Sequence, residues 1–218
     1  MTIITLPTPA SSYLRRAVVC FFDLQEEYVS PGRPLALPQT DPWQANCRAL
    51  LGFARHSKLQ IAHFRQLGRS ALFNPATEWS RWIDEFKPRP TSEMAFERDS
   101  PSAFACDGFA KYIQSIREPW LVIAGLTGAY SCLTTAIESH VRGYQAIFVR
   151  DSSSSPALGE SSSDQVHDFV CELIGLYAEV TTTGKIISWL GGTVECQNEM
   201  RTGHHNPTHR PFTPSPSS

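Results

Sequence analysis

Four residues of this chain stand where chemistry is done: Asp23, Arg98, Ser131 and Cys132. Asp23 stops the apolar run Ala17 to Phe22, and Arg98 ends a short segment that starts at Met94. Ser131 and Cys132 follow the run Leu121 to Ala124, across a turn punctuated by Gly125 and Gly128. A strand, a glycine turn and a helix start set backbone N–H groups and the positive end of a helix dipole beside the turn. A hydroxyl or thiol in such a place is a nucleophile candidate. With a carboxylate and a cation near it, the chemistry would be acyl transfer. Three of them also have a purely architectural reading. Asp23 could cap a turn, Arg98 could sit in a surface salt bridge, and Cys132 could be a small core residue.

The elements that must position these groups are read from periodicity. Ala17 to Phe22 is apolar throughout, as a strand buried on both faces is. Further strands are expected at Leu59 to Phe64, Met94 to Glu97, Leu121 to Ala124, Gln145 to Val149 and Ala178 to Thr182. A helix opens at Asp41-Pro42, with Asp41 as N-cap and Trp43, Cys47, Leu50, Leu51 and Ala54 on its apolar face. Others are expected near Asp107 to Ile116, from about Ser131 to Arg142 with Gly143 as C-cap, over Asp164 to Leu176, and over Gly184 to Leu190. Asp151 and the serines after it read as a loop. Alternating strands and helices imply an α/β fold, a parallel sheet covered on both faces. Ligands of such sheets bind beyond the carboxyl ends of the strands, where the strand order reverses. The long aromatic stretch 65–93, with Phe73, Trp79, Trp82 and Phe86, is expected to be a pocket wall or an oligomer interface.

The chain has 218 residues, enough for one sizeable domain. It is expected to comprise an N-terminal arm over 1–13, a domain over 14–190 and a disordered polar tail over 191–218. A net charge of −2 gives no basic excess, so nucleic acid is not an expected partner. No apolar run approaches bilayer length and no signal peptide is evident, so a cytoplasmic protein away from membranes is expected. Six cysteines without CxxC pairs argue against a zinc ribbon and for reduced thiols. His204, His205 and His209 fall in the tail and read as solvated.

Four segments together resemble the isochorismatase-like hydrolases, also called cysteine hydrolases. They are the strand ending in Asp23-Leu24-Gln25, Glu97-Arg98 with Ser102-Ala103-Phe104, Gly125 through Cys132-Leu133-Thr134-Thr135-Ala136, and Arg142-Gly143-Tyr144 running to Val149-Arg150-Asp151. The resemblance implies a three-layer α/β/α fold with a six-stranded parallel sheet in order 3-2-1-4-5-6. The switch point would then lie between the first and fourth strands. It implies a triad of Asp, Lys and Cys, with Asp23 in the Asp position. Arg98 occupies the Lys position; it keeps the charge but gives up no proton. The family's nucleophile lies six residues beyond the strand-ending Gly and four before the Thr of a Thr-Ala pair. Both counts, from Gly125 and from Thr135, put Ser131 there and Cys132 one residue later. One residue is about 100° of helix, so only one of the two can face a pocket. The pattern is similar to the family members that cleave a vinyl ether with Asp as general acid. The nicotinamidase metal motif has no counterpart, so no metal or other cofactor is expected. The resemblance implies a homo-oligomeric hydrolase acting on a small amide, ureide or vinyl ether. A scaffold that has lost its chemistry and binds or regulates instead is the alternative.

Overall fold

The structure is a computed structural model that describes residues 16–37, 40–68 and 71–191. Six strands form one parallel sheet in the order β3-β2-β1-β4-β5-β6. They are β1 (Ala17–Phe22), β2 (Gln60–Gln66), β3 (Met94–Arg98), β4 (Trp120–Leu126), β5 (Gln145–Ser154) and β6 (Glu179–Thr181). The helices are α1 (Asp41–His56), α2 (Asp107–Ser115), α3 (Leu133–Val141), α4 (Ser163–Ile174) and α5 over 183–191. The fold class and strand order are those expected. The expected arm lies outside the described residues, as does the tail beyond Gly191 with its three histidines.

The continuous apolar run of β1 serves two cores at once. Ala17, Val19 and Phe21 pack with Trp43, Leu50 and Leu51 of α1 and with Ile186 and Leu190 of α5. Val18, Cys20 and Phe22 point the other way, into a core with Phe109 and Ile113 of α2, Ala136 of α3 and Val170 and Ile174 of α4. Side chains alternate faces along a strand, so a central parallel strand must be apolar at every position. β4 divides in the same way, with Val122 and Ala124 on the first face and Leu121 and Ile123 on the second.

Two boundaries differ from those expected. The N-cap of α1 is Thr40, with Pro42 in the first turn. β5 runs on through Asp151 to Ser154 instead of yielding to a loop. Its register with β4 shifts, Ile123 facing Phe148 but Gly125 facing Ser153. Ser152 is held in the sheet through its hydroxyl, and Asp151 beside it through its carboxylate. Ser152 Oγ lies 2.7 Å from Thr183 Oγ1, and Thr183 donates to Asp151 Oδ1 from its amide (2.7 Å) and its hydroxyl (2.8 Å).

Stretch 65–93 is irregular, as expected, with single turns of 3₁₀ helix at Glu78–Ser80 and Asp84–Phe86. Its Phe73 and Phe86 are buried in the chain's own first core. The Gln25 side-chain amide donates to the carbonyls of Gln66 (3.0 Å) and Ser80 (2.9 Å), and its oxygen accepts from Gln66 N (2.9 Å). The residue before β3, Glu93, is gripped from three sides. It accepts from Arg55 Nε (2.7 Å) and Nη2 (3.0 Å), His63 Nε2 (2.9 Å) and Arg89 N (3.0 Å). This ties the start of β3 to α1 and β2.

Candidate active site

At the carboxyl end of the sheet, three elements each deliver one polar group to a single point. Asp23 follows β1 with φ 47°, a left-handed conformation that Asp tolerates better than most residues. Its amide is held by the Phe64 carbonyl at 2.8 Å. Arg98, the last residue of β3, extends across β2 to meet it. Ser131 stands in a five-residue π-helical turn, Gly128–Cys132, between β4 and α3. The helix therefore begins two residues after Ser131, and the Ser sits in the turn itself. Gly125 makes the approach to this turn possible. It faces Phe22 across the β1–β4 pairing with φ 99°, and a Cβ there would lie 2.3 Å from the Phe22 carbonyl oxygen.

The three side chains form a closed triangle. Arg98 Nη2 donates to Asp23 Oδ2 at 2.6 Å and to Ser131 Oγ at 2.9 Å. The Ser131 hydroxyl donates to the same Asp23 Oδ2 at 2.5 Å. Arg98 Nη1 is anchored on the Ser100 carbonyl at 2.6 Å, and the guanidinium lies over the Phe22 ring. Asp23 and Ser131 are fully buried and Arg98 nearly so. Asp23 Oδ1 and Arg98 Nε are buried with no hydrogen-bond partner in the protein. Burial pushes the Asp23 carboxyl above the usual carboxylate range. The Arg98 charge and the hydrogen bonds from Ser131 and Arg98 pull the other way without cancelling it.

Cys132 turns into the core. It packs in the second cluster with Cys20, Phe22 and Ala136, and its Sγ lies 3.7 Å from the Gly125 carbonyl. Burial drives its thiol pKa far up. Three of the four residues singled out in the sequence thus come together, and the fourth lies in the packed layer beneath them. Ser100 and Gln25 complete the frame. Ser100 acts through its backbone carbonyl, which no residue pattern reveals. Among the described residues no group of His, Cys, Asp and Glu could hold a metal ion, and no helix is long and apolar enough to cross a membrane.

The family model described as an isochorismatase domain matches residues 17–185. The chain belongs to the isochorismatase family of hydrolases. Solved isochorismatase-family structures agree with the fold. An isochorismatase from Pseudomonas putida KT2440 is 27% identical with a TM-score of 0.74, over 83% of this chain and 93% of that one. A cysteine hydrolase from Pseudomonas syringae pv. phaseolicola 1448A is 17% identical with a TM-score of 0.74, over 88% and 100%. A hydrolase of the isochorismatase family from Chromobacterium violaceum is 21% identical with a TM-score of 0.72, over 86% and 100%. No curated protein matches the chain.

Proposed function

We propose that this isochorismatase-family hydrolase cleaves a small vinyl ether by acid catalysis from Asp23. One observation carries the reading: Arg98 and Ser131 both occupy Asp23 Oδ2, while Oδ1 is left without a protein partner. An acid in this position bears its proton on Oδ1. Burial favours the protonated form, and Arg98 and Ser131 stabilise the carboxylate left behind when the proton departs. The proton passes to the terminal carbon of the enol ether, and the ether-bearing carbon becomes an oxocarbenium ion. Water adds to that carbon and returns a proton to Asp23. The resulting hemiketal then splits into a ketone and an alcohol.

Nucleophilic catalysis on an amide or ureide has less support. The Ser131 hydroxyl proton is already committed to Asp23, and its oxygen accepts from Arg98. The Cys132 thiol is buried and held in its protonated form. Arg98 supplies charge and orientation but no proton.

The test is turnover on a panel of isochorismate, simple vinyl ethers, amides and ureides by the wild type, Asp23→Asn and Cys132→Ala. Vinyl-ether hydrolysis should fall about 10²- to 10⁴-fold in Asp23→Asn, the usual weight of one general acid, and persist in Cys132→Ala. Amide hydrolysis abolished by Cys132→Ala would overturn the reading. Inactivity of the wild type on the whole panel would favour the binding or regulatory alternative.

A further inference from the structure

We propose that Ser155 and His167 are positioning residues for the turn that carries Ser131, acting through the Ala129 amide. The proposal rests on the reading that Ser131 works with Asp23. Ser155 follows β5 directly and is fully buried, so it is no nucleophile. Its Oγ accepts from Ala129 N at 3.2 Å and lies 3.4 Å from His167 Nδ1. The other ring nitrogen of His167, Nε2, is 2.9 Å from the Arg150 carbonyl. A carbonyl can only accept, so Nε2 carries the proton and Nδ1 is left as an acceptor. The Ser155 hydroxyl therefore points its proton at His167 and its lone pair at the Ala129 N–H.

The rest of the arrangement holds this chain of bonds in place. Ser163, the first residue of α4, donates to the Ser155 carbonyl at 2.5 Å. Gly128 leaves the room that the pair needs. A Cβ on it would lie 3.0 Å from Ser155 Oγ and 3.2 Å from His167 Nδ1. One residue beyond Ala129 the turn reaches Tyr130, and next comes Ser131. Movement of the Ala129 amide is thus passed on to the hydroxyl bonded to Asp23.

Protonation of His167 would place a hydrogen on Nδ1 and end its role as acceptor. Burial holds His167 below its ordinary value, so the neutral ring is favoured near neutral pH. The groups that face it are Asp164 and Asp168 on its own helix, which favour the charged ring, and Arg150 from β5, which opposes it. Cys171 lies 3.7 Å from Nε2. The turn itself brings only Tyr130 and Cys132 as titratable side chains.

The experiment is hydrogen–deuterium exchange on the full chain for wild type, Ser155→Ala, His167→Ala and His167→Asn. Asn offers an oxygen at about the reach of Nδ1 and does not titrate. Segment 128–132 should exchange about five- to tenfold faster in Ser155→Ala and His167→Ala, the effect of losing one hydrogen bond. The β4 segment 121–126 should be unchanged, and His167→Asn should stay near wild type. As pH falls below the ordinary imidazole value of about 6.5, after correction for intrinsic exchange, wild type should loosen at 128–132 and His167→Asn should not. On any substrate turned over through Asp23, kcat should fall in Ser155→Ala and His167→Ala with KM little changed, and His167→Asn should restore it. Unchanged exchange at 128–132 in both alanine variants would overturn the proposal. So would loosening of 121–126 to the same degree, which marks a general structural role. Exchange needs no substrate, so wild-type inactivity on every compound would sink the vinyl-ether reading alone.

Discussion

Replacing Glu93 by Gln tests how firmly the strand that ends in Arg98 is held. The Glu93 side chain is 2% exposed and takes donors from Arg55, His63 and the Arg89 amide. Gln keeps the size but turns one acceptor oxygen into an NH₂ that faces N–H groups, and it leaves the Arg55 charge without its partner. Removing one partner of a buried pair costs about 3–5 kcal/mol. Arg55 keeps some water, with 18% of its side chain exposed, so the lower end applies, about 3 kcal/mol. For a domain of this size that is a fall of about 6–12 °C in Tm. Burial pulls the Glu93 carboxyl up, but the hydrogen bonds from His63, Arg55 and the Arg89 amide outweigh it, so the folded pKa lies well below the usual range. A depressed folded pKa contributes stability above the unfolded value of about 4.3, and that contribution drains away as pH falls toward the folded value. Calorimetric melts should therefore show a gap between wild type and Glu93→Gln that is full near neutral pH and narrows below about pH 4. Equal Tm values at neutral pH, or a gap that stays constant with pH, would refute the reasoning.

Gly125→Ala should cost at least about 3 kcal/mol or prevent folding, because the new methyl meets Phe22 backbone that cannot yield; soluble yield and Tm measure it. In the native protein at about pH 8, iodoacetamide and peptide mapping should find Cys106, which is part-exposed, labelled and Cys132 protected. Labelling of Cys132 as fast as Cys106 would mean that its thiol is not in the core.

What could be read in advance was whatever leaves a periodic or punctuated trace. The run at Ala17–Phe22, its stop at Asp23 and the glycines at 125 and 128 locate two corners of the candidate site, and the family resemblance, through its spacing to Thr135, singles out Ser131 over Cys132. The third corner needed the side chain of Arg98 to cross a whole strand, which only the sheet order makes sensible. Serines 152–155 looked like a loop because their hydroxyls favour turns. They lie in and beside the sheet through a register shift and through partners on other elements, Thr183 for Ser152 and the Ala129 amide for Ser155. The two readings of stretch 65–93 as wall or interface missed a third use for its rings, since Phe73 and Phe86 go into the domain's own core. Glu93 and His63 carry no pattern at all, because their pairing depends on where β2 and β3 come to lie.

Arg98 meets residues 75 and 33 positions away in the chain, and Asp23 and Ser131 are separated by 108. No local segment of the polypeptide contains even two corners of the triangle. Its closure requires β3, β2, β1 and β4 to be side by side in the right order, with all three crossovers between them made. An unfinished or misordered sheet would retain helices and much of its buried surface yet hold no assembled site. Pairing of Arg98 with Asp23 is therefore a report on completed topology, and recovery of activity on refolding should be the last signal to return, after helical circular dichroism.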